Sequence, residues 1–174
     1  PFFDSFFDDP FFGGYQNIQE VVKAKDVSVQ VLPLPEEGKP EKFYGAVGQF
    51  SVKASIDKTN VKTNDAITLR YTIWGNGSLK LIETPAILFP PDFDVYDPKV
   101  SNKINKNNKG ISGAKSIEYL IIPRTPGDFK IPSLQFSYFD PLKKSFVNKK
   151  TEAFNIHVEK GEMSDDEANT YRNF

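Results

Sequence analysis

Few residues in this chain have the chemistry for a reaction, and their spacing argues against one. His157 is the single histidine and there is no cysteine. A Cys–His nucleophilic pair therefore lacks its first member, and a Ser-His-Asp triad has only the presence of its residue types behind it. His157 falls on the polar phase of Phe154-Asn155-Ile156-His157-Val158, where a strand would hold it at the surface. Disulfides and zinc–thiolate centres are excluded by the missing cysteine. Asp92, Asp94 and Asp97, in PPDFDVYDP, have a spacing like that of a calcium loop, but its glycine and distal bidentate glutamate are absent. Strand alternation would also put Asp97 on the face opposite Asp92 and Asp94, and Asp beside Pro is an ordinary turn residue.

Charge gives little more. Lys99, Lys103, Lys106, Lys109 and Lys115 follow one another with no acidic residue between them. A solvated loop of this kind would meet an anionic surface, yet it holds no aromatic side chain to stack a base. The net charge is −1, from 22 basic and 23 acidic residues, which argues against nucleic acid as a partner. Glu36-Glu37 and Asp165-Asp166 lie in linker-like stretches without a pocket to shift their protonation. Gly13-Gly14 and Gly75-Asn76-Gly77 lack the strand-to-helix setting of a phosphate loop. The expectation is a chain that is not an enzyme, with no cofactor and no metal. Trp74, the one tryptophan, lies on the phase opposite Tyr71 and Ile73. An exposed indole keeps a second class open, an extracellular glycan-binding or adhesin-type β-sandwich.

The elements that would position these residues are strands. At 174 residues and 39% apolar, with 16 Phe, the chain can bury one sizeable core with length to spare. Phe50, Val52, Ala54 and Ile56 alternate with Ser51, Lys53 and Ser55; Ile67, Leu69, Tyr71 and Ile73 alternate with Thr68, Arg70 and Thr72. Two half-buried antiparallel strands follow from that period. Asn76-Gly77 is a strong hairpin signal, and Pro85, Pro90 and Pro91 forbid a long helix after it. Glu118 to Phe146 predicts two apolar strands folded back at Thr125-Pro126-Gly127-Asp128, with Pro126 and Gly127 supplying the turn. A last strand runs from about Phe146 to Val158. The fold expected is all-β: an immunoglobulin-like β-sandwich of about seven strands over 41–160.

Upstream, Val27, Val29 and Val31 alternate with Ser28, Gln30 and Leu32, and Pro33 to Pro40 forms a stiff connector. This predicts the last strand of a truncated preceding domain within 1–40, an orphan that needs an edge on the main domain or on a second copy of the chain. Residues 161–174 are a linker or short helix, with a capping box at Ser164 to Glu167. The start, PFFDSFFDDPFFGGY, is too aromatic for an inert linker. Phe2, Phe3, Phe6, Phe7, Phe11 and Phe12 are therefore candidate partner-docking residues, kept soluble by Asp4, Asp8 and Asp9. The chain opens on Pro1 and holds no apolar run of about 18 residues, so any signal or membrane anchor is expected outside it.

Taken together, PLPEEGKP, GAVGQF, GNGSLKLIE, PPDFDVYDPK and EYLIIPR-PGDFKIPSLQFSYFDP resemble the BatD family of the Bacteroides aerotolerance operon, in the family's order and over about Val27 to Gly161. The resemblance implies an exported, membrane-anchored chain of immunoglobulin-like domains in the periplasm or cell envelope. Its implied partners are von Willebrand factor A-domain proteins and a MoxR-type ATPase, and its implied role is in oxygen or stress tolerance. It supplies no catalytic residues.

Overall fold

The computed structural model describes residues 20–108 and 110–161, and the chain divides into two units, 1–33 and 34–174. In the first unit the described residues, 20–33, contain no strand, and Val27, Val29 and Val31 are exposed. Their alternation is realised in no ladder, because a strand is stabilised by the strand it pairs with and not by its own period. The Ser164 to Glu167 capping box lies outside the described residues.

The second unit is all-β, with ten strand segments and a single 3-10 turn at Leu79–Leu81 among the described residues. Five segments form one sheet: β1 (Gly48–Ile56), β3 (Ile67–Gly77), β6 (Gly110–Pro123), β4 (Phe93–Val95) and β5 (Lys99–Asn107), with β4 and β5 both on the far edge of β6. They make one edge strand with a bulge. Four residues forward from Val95 to Lys99 match only three back from Ile121 to Glu118, so the strand gains a residue near Asp97-Pro98. The edge tolerates Pro98, which has no N–H to give.

The second sheet is built likewise from β2 (Asn60–Lys62), β10 (Phe154–Glu159), β7 (Gly127–Ile131), β8 (Gln135–Asp140) and β9 (Ser145–Lys150). Here the register does not slip. Four residues forward from Ile131 to Gln135 match four back from Phe154 to Lys150, so β7–β8 and β9–β10 are one long hairpin. At the break, Pro132 interrupts the ladder and Thr151 repairs it. The Thr151 N–H donates to the Leu134 carbonyl at 3.0 Å, while the Leu134 N–H donates to Thr151 Oγ1, also at 3.0 Å. Counted this way, the ten segments are seven strands in two sheets, the immunoglobulin-like sandwich.

The alternating apolar positions meet between the sheets. Ile67, Leu69, Tyr71 and Ile73 of β3 and Ile117 and Ile121 of β6 are inaccessible to solvent, as is Phe136 of β8. Each buried aliphatic or aromatic side chain contributes about 1.5–3 kcal/mol. Edge-on ring pairs join the sheets: Phe50 lies 5.7 Å from Tyr138, and Phe93 lies 5.0 Å from Phe129.

Three expectations are corrected. Thr125–Asp128 is a bend, but β6 and β7 do not form a hairpin. Both edges of β6 are already paired, with β3 and with β4–β5, so the next strand has to open the other sheet. Asn76 and Gly77 are not a turn either; they lie inside β3, opposite Gln49 and Gly48. The glycine signal there reflects crowding, since a Cβ on Gly75 would sit 2.0 Å from the Gln49 carbonyl oxygen, at φ +153°. The stretch from Lys99 to Lys115 is a hairpin of β5 and the start of β6, because β6 offers it a continuous edge.

Gly75→Ala combines a disfavoured φ with a clash against backbone, and is expected to cost about 3 kcal/mol or more of unfolding free energy. Chemical denaturation followed by near-ultraviolet circular dichroism measures this, and a midpoint equal to the parent's would refute the crowding argument.

Candidate functional site

Side chains opposite one another in an antiparallel ladder point to the same face, so the outer face of the five-stranded sheet can be laid out from its register. One row reads Ser51, Trp74, Ala114, Lys103; the next toward the open end reads Gln49, Asn76, Ser112, Asn105. On the other side stand Lys53, Thr72, Ser116 and Ser101, then Ser55, Arg70, Glu118 and Lys99. Trp74 is 41% exposed among short polar side chains. Across these rows Arg70 Nε pairs with Glu118 Oε1 at 2.8 Å, and the pair is exposed, so it contributes little. Along the β5–β6 hairpin Ile111 near the tip and Val100 opposite Ile117 are exposed, while Ile104 is half-buried against the core. Lys99, Lys103 and Lys106 line its exposed strand. Such lysines also keep an edge strand from pairing with other sheets.

The buried polar side chains serve a different purpose. The connection from Leu79 to Pro91 has little regular structure, so its carbonyls must find partners elsewhere. Lys115, on the buried phase of β6, donates to the Ile82 carbonyl, and the Tyr119 hydroxyl donates to the Pro85 carbonyl at 3.4 Å. Burial holds the Lys115 ammonium below the usual lysine range. Burial, and then the nearby Tyr44, push the Tyr119 and Tyr71 hydroxyls up. Tyr71 Oη is buried with no hydrogen-bond partner among the described residues. Lys115 thus acts as a tether inside the sandwich and does not belong to the surface run of lysines.

The other chemistry-bearing residues are accounted for locally. Asp92 accepts from the Thr125 hydroxyl at 3.1 Å and Asp94 from Arg124 Nε at 2.6 Å, and Arg124 also donates to Asn64 Oδ1 at 2.7 Å. These bonds pin the bend where the chain changes sheets. Pro126 and Gly127 sit at that bend, and Gly127 opens β7. His157 is exposed on β10, opposite Asp128, with Nδ1 2.6 Å from Asp128 Oδ1. The six phenylalanines Phe2, Phe3, Phe6, Phe7, Phe11 and Phe12 lie outside the described residues. Sequence reasoning found Trp74 by its phase. It missed the hairpin that extends the Trp74 face, because Asn, Lys and Gly there carry loop composition.

A family model described as the BatD DUF11 like domain matches residues 54–158, more than half of the chain. No curated protein matches the sequence.

The His157–Asp128 contact has a definite pH signature. The Asp128 hydrogen bond, followed by its charge, raises the His157 pKa above the usual 6.5. A raised folded-state value means that the contact's stabilisation is fully present below about 6.5, the unfolded-state value, and is lost as pH rises through the higher folded value. NMR titration should therefore give His157 a pKa above 6.5, and Asp128→Asn should bring it down. An unchanged value in the variant would mean the carboxylate is not the cause.

Proposed function

Because the chain belongs to the BatD family, we propose that it is a non-catalytic protein-interaction domain of a cell-envelope protein. In this reading the full-length protein is membrane-anchored and periplasmic, and it assembles with von Willebrand factor A-domain proteins and a MoxR-type ATPase system in oxygen or stress tolerance. The observation that supports it best is the outer sheet face, widened by the β5–β6 hairpin: a broad surface with Trp74 at its centre and lysines along its edge strand. Such a surface offers area and charge for contact and little concavity for a substrate. Aromatic residues are enriched where proteins meet, and a lysine row speeds encounter with an acidic partner. The Phe pairs between Phe2 and Phe12 belong to the same proposal, as a second docking element.

A second reading, glycan binding, is favoured by one specific feature. Trp74 is exposed beside Ser51 and Asn76, and Lys103 shares its row beyond Ala114, an indole platform with hydrogen-bonding groups near it.

One experiment separates the two. The domain used as bait on envelope extract is expected to retain a von Willebrand A-domain protein at low salt, and Lys99→Glu with Lys103→Glu should weaken retention. On a glycan array the parent should show no signal. Sugar binding that Trp74→Ala abolishes, with no protein captured, would reverse the ranking.

A further inference from the structure

A cleft of ≈ 630 Å³ opens beside the first half of β8, lined by Pro40, Lys42, Tyr44, Leu88, Gln135 and Ser137 among others. The hydrogen bonds around it fix which way the β8 backbone faces. Leu134 exchanges its bonds with Thr151, so it faces β9. Antiparallel alternation then turns Phe136 and Tyr138 toward β9, and Gln135, Ser137 and Phe139 away from it. Phe139 obeys this independently, since its N–H donates to the Ala46 carbonyl at 2.8 Å, and Val47 bridges Phe139 in parallel.

The next pairing of that parallel ladder would join Gly45 to Ser137, and it is not made. Gly45 takes φ +73°, a conformation that leads the chain off the strand direction, and a Cβ there would lie 3.2 Å from the Leu81 carbonyl oxygen. The Tyr44 carbonyl is instead taken by the Glu83 N–H at 3.0 Å. The walls of the cleft are thus held apart by their own bonds. The N–H and C=O groups of Gln135 and Ser137 point into it with no partner among the described residues; Gln135 is exposed, while Ser137 lines the cleft at 6% exposure. Unpaired strand edges of this kind accept added strands.

We propose that this edge binds an extended segment of a partner protein as an added β-strand, and that the segment alternates apolar with acidic residues. The proposal rests on the interaction-domain reading and names the partner's chemistry. The main-chain groups of Gln135 and Ser137 supply the pairing, and Tyr44, Leu88 and Leu134 give apolar contact to alternate side chains. Lys42, Lys149 and Lys150 line the cleft against one carboxylate, Glu41, which selects for negative charge. A second copy of the chain is a poor occupant, because it would bring the same basic, walled edge.

Amide hydrogen exchange in the free protein gives the first test. Gln135 and Ser137 should exchange faster than Phe136 and Tyr138; equal protection would mean the edge is already paired, and the proposal falls. A displayed library of random peptides about ten residues long, selected on the whole protein, should then enrich alternating apolar–acidic sequences that slow exchange at Gln135 and Ser137. Gln135→Pro removes an N–H that no β9 residue uses, and should weaken such a peptide about tenfold, a difference of about 1.4 kcal/mol. Lys42→Glu with Lys149→Glu leaves the backbone edge intact and should weaken it similarly, so a folding defect in the proline variant does not decide the matter. No enrichment, or peptides that perturb the Trp74 face instead, overturns the proposal. So does a concentration-dependent dimer that Gln135→Pro abolishes, since the occupant is then a second copy. Capture of an envelope protein that is indifferent to Gln135→Pro overturns the groove and leaves the interaction reading standing; peptides seated in the groove with no envelope protein captured support the groove and sink that reading.

Discussion

The structure depends on β6 being paired along both edges. It takes β3 on one side and the bulged β4–β5 strand on the other, and buries Ile117, Tyr119 and Ile121 beneath it. With no edge left, the chain leaving Pro123 has to cross to the opposite layer, and Arg124 secures the crossing through Asp94 and Asn64. The long β7–β10 hairpin that follows closes the sandwich. An apolar strand with two paired edges thus determines both the core and the order in which the second sheet is made.

Crossing between layers leaves backbone polar groups to be satisfied, and the solutions are local. Thr151 lends its hydroxyl where Pro132 breaks the ladder. Lys115 and Tyr119 reach from the buried face of β6 to the carbonyls of the connection between β3 and β4. A buried ammonium is costly unless bonded, so Lys115 is intelligible as a tether for a segment that has little ladder of its own. The two readings of lysine in one hairpin, gatekeeper for Lys99 and Lys103 on β5 and tether for Lys115 on β6, follow from the opposite faces these residues occupy.

Two of the sheet edges are treated differently. On β5 the free edge is long and carries lysines, which disfavours pairing with another sheet. On β8 the free edge is short and lies in a cleft whose walls are held by the Gly45 turn and the Glu83–Tyr44 bond. Broad contact suits the first region, around Trp74, and a single extended segment suits the second.

The sequence alone determined the class. Period-two alternation marked residues 50–56, 67–73 and 154–158 as strands, because that period puts Ile67, Leu69, Tyr71 and Ile73 on one face, whereas the same period at Val27 to Val31 found no partner and made no ladder. The strand number was legible too, once bulges and breaks are counted as parts of longer strands. The exposure of Trp74 and of His157 followed from the same phase. Tertiary structure decided what local chemistry left ambiguous. Gly75 and Gly77 looked like a turn but are thin strand residues against the backbone of β1, and whether a glycine bends or permits close approach depends on its neighbours. The Lys-Asn-Gly run of 99–115 looked like a loop and became a hairpin because β6 lent it an edge. The bend at Pro126 was visible, but not the change of sheet, which depends on β6 having no edge to offer. The β8 cleft had no sequence signal at all, because its defining feature is main chain left without a partner, and every residue has the same main chain.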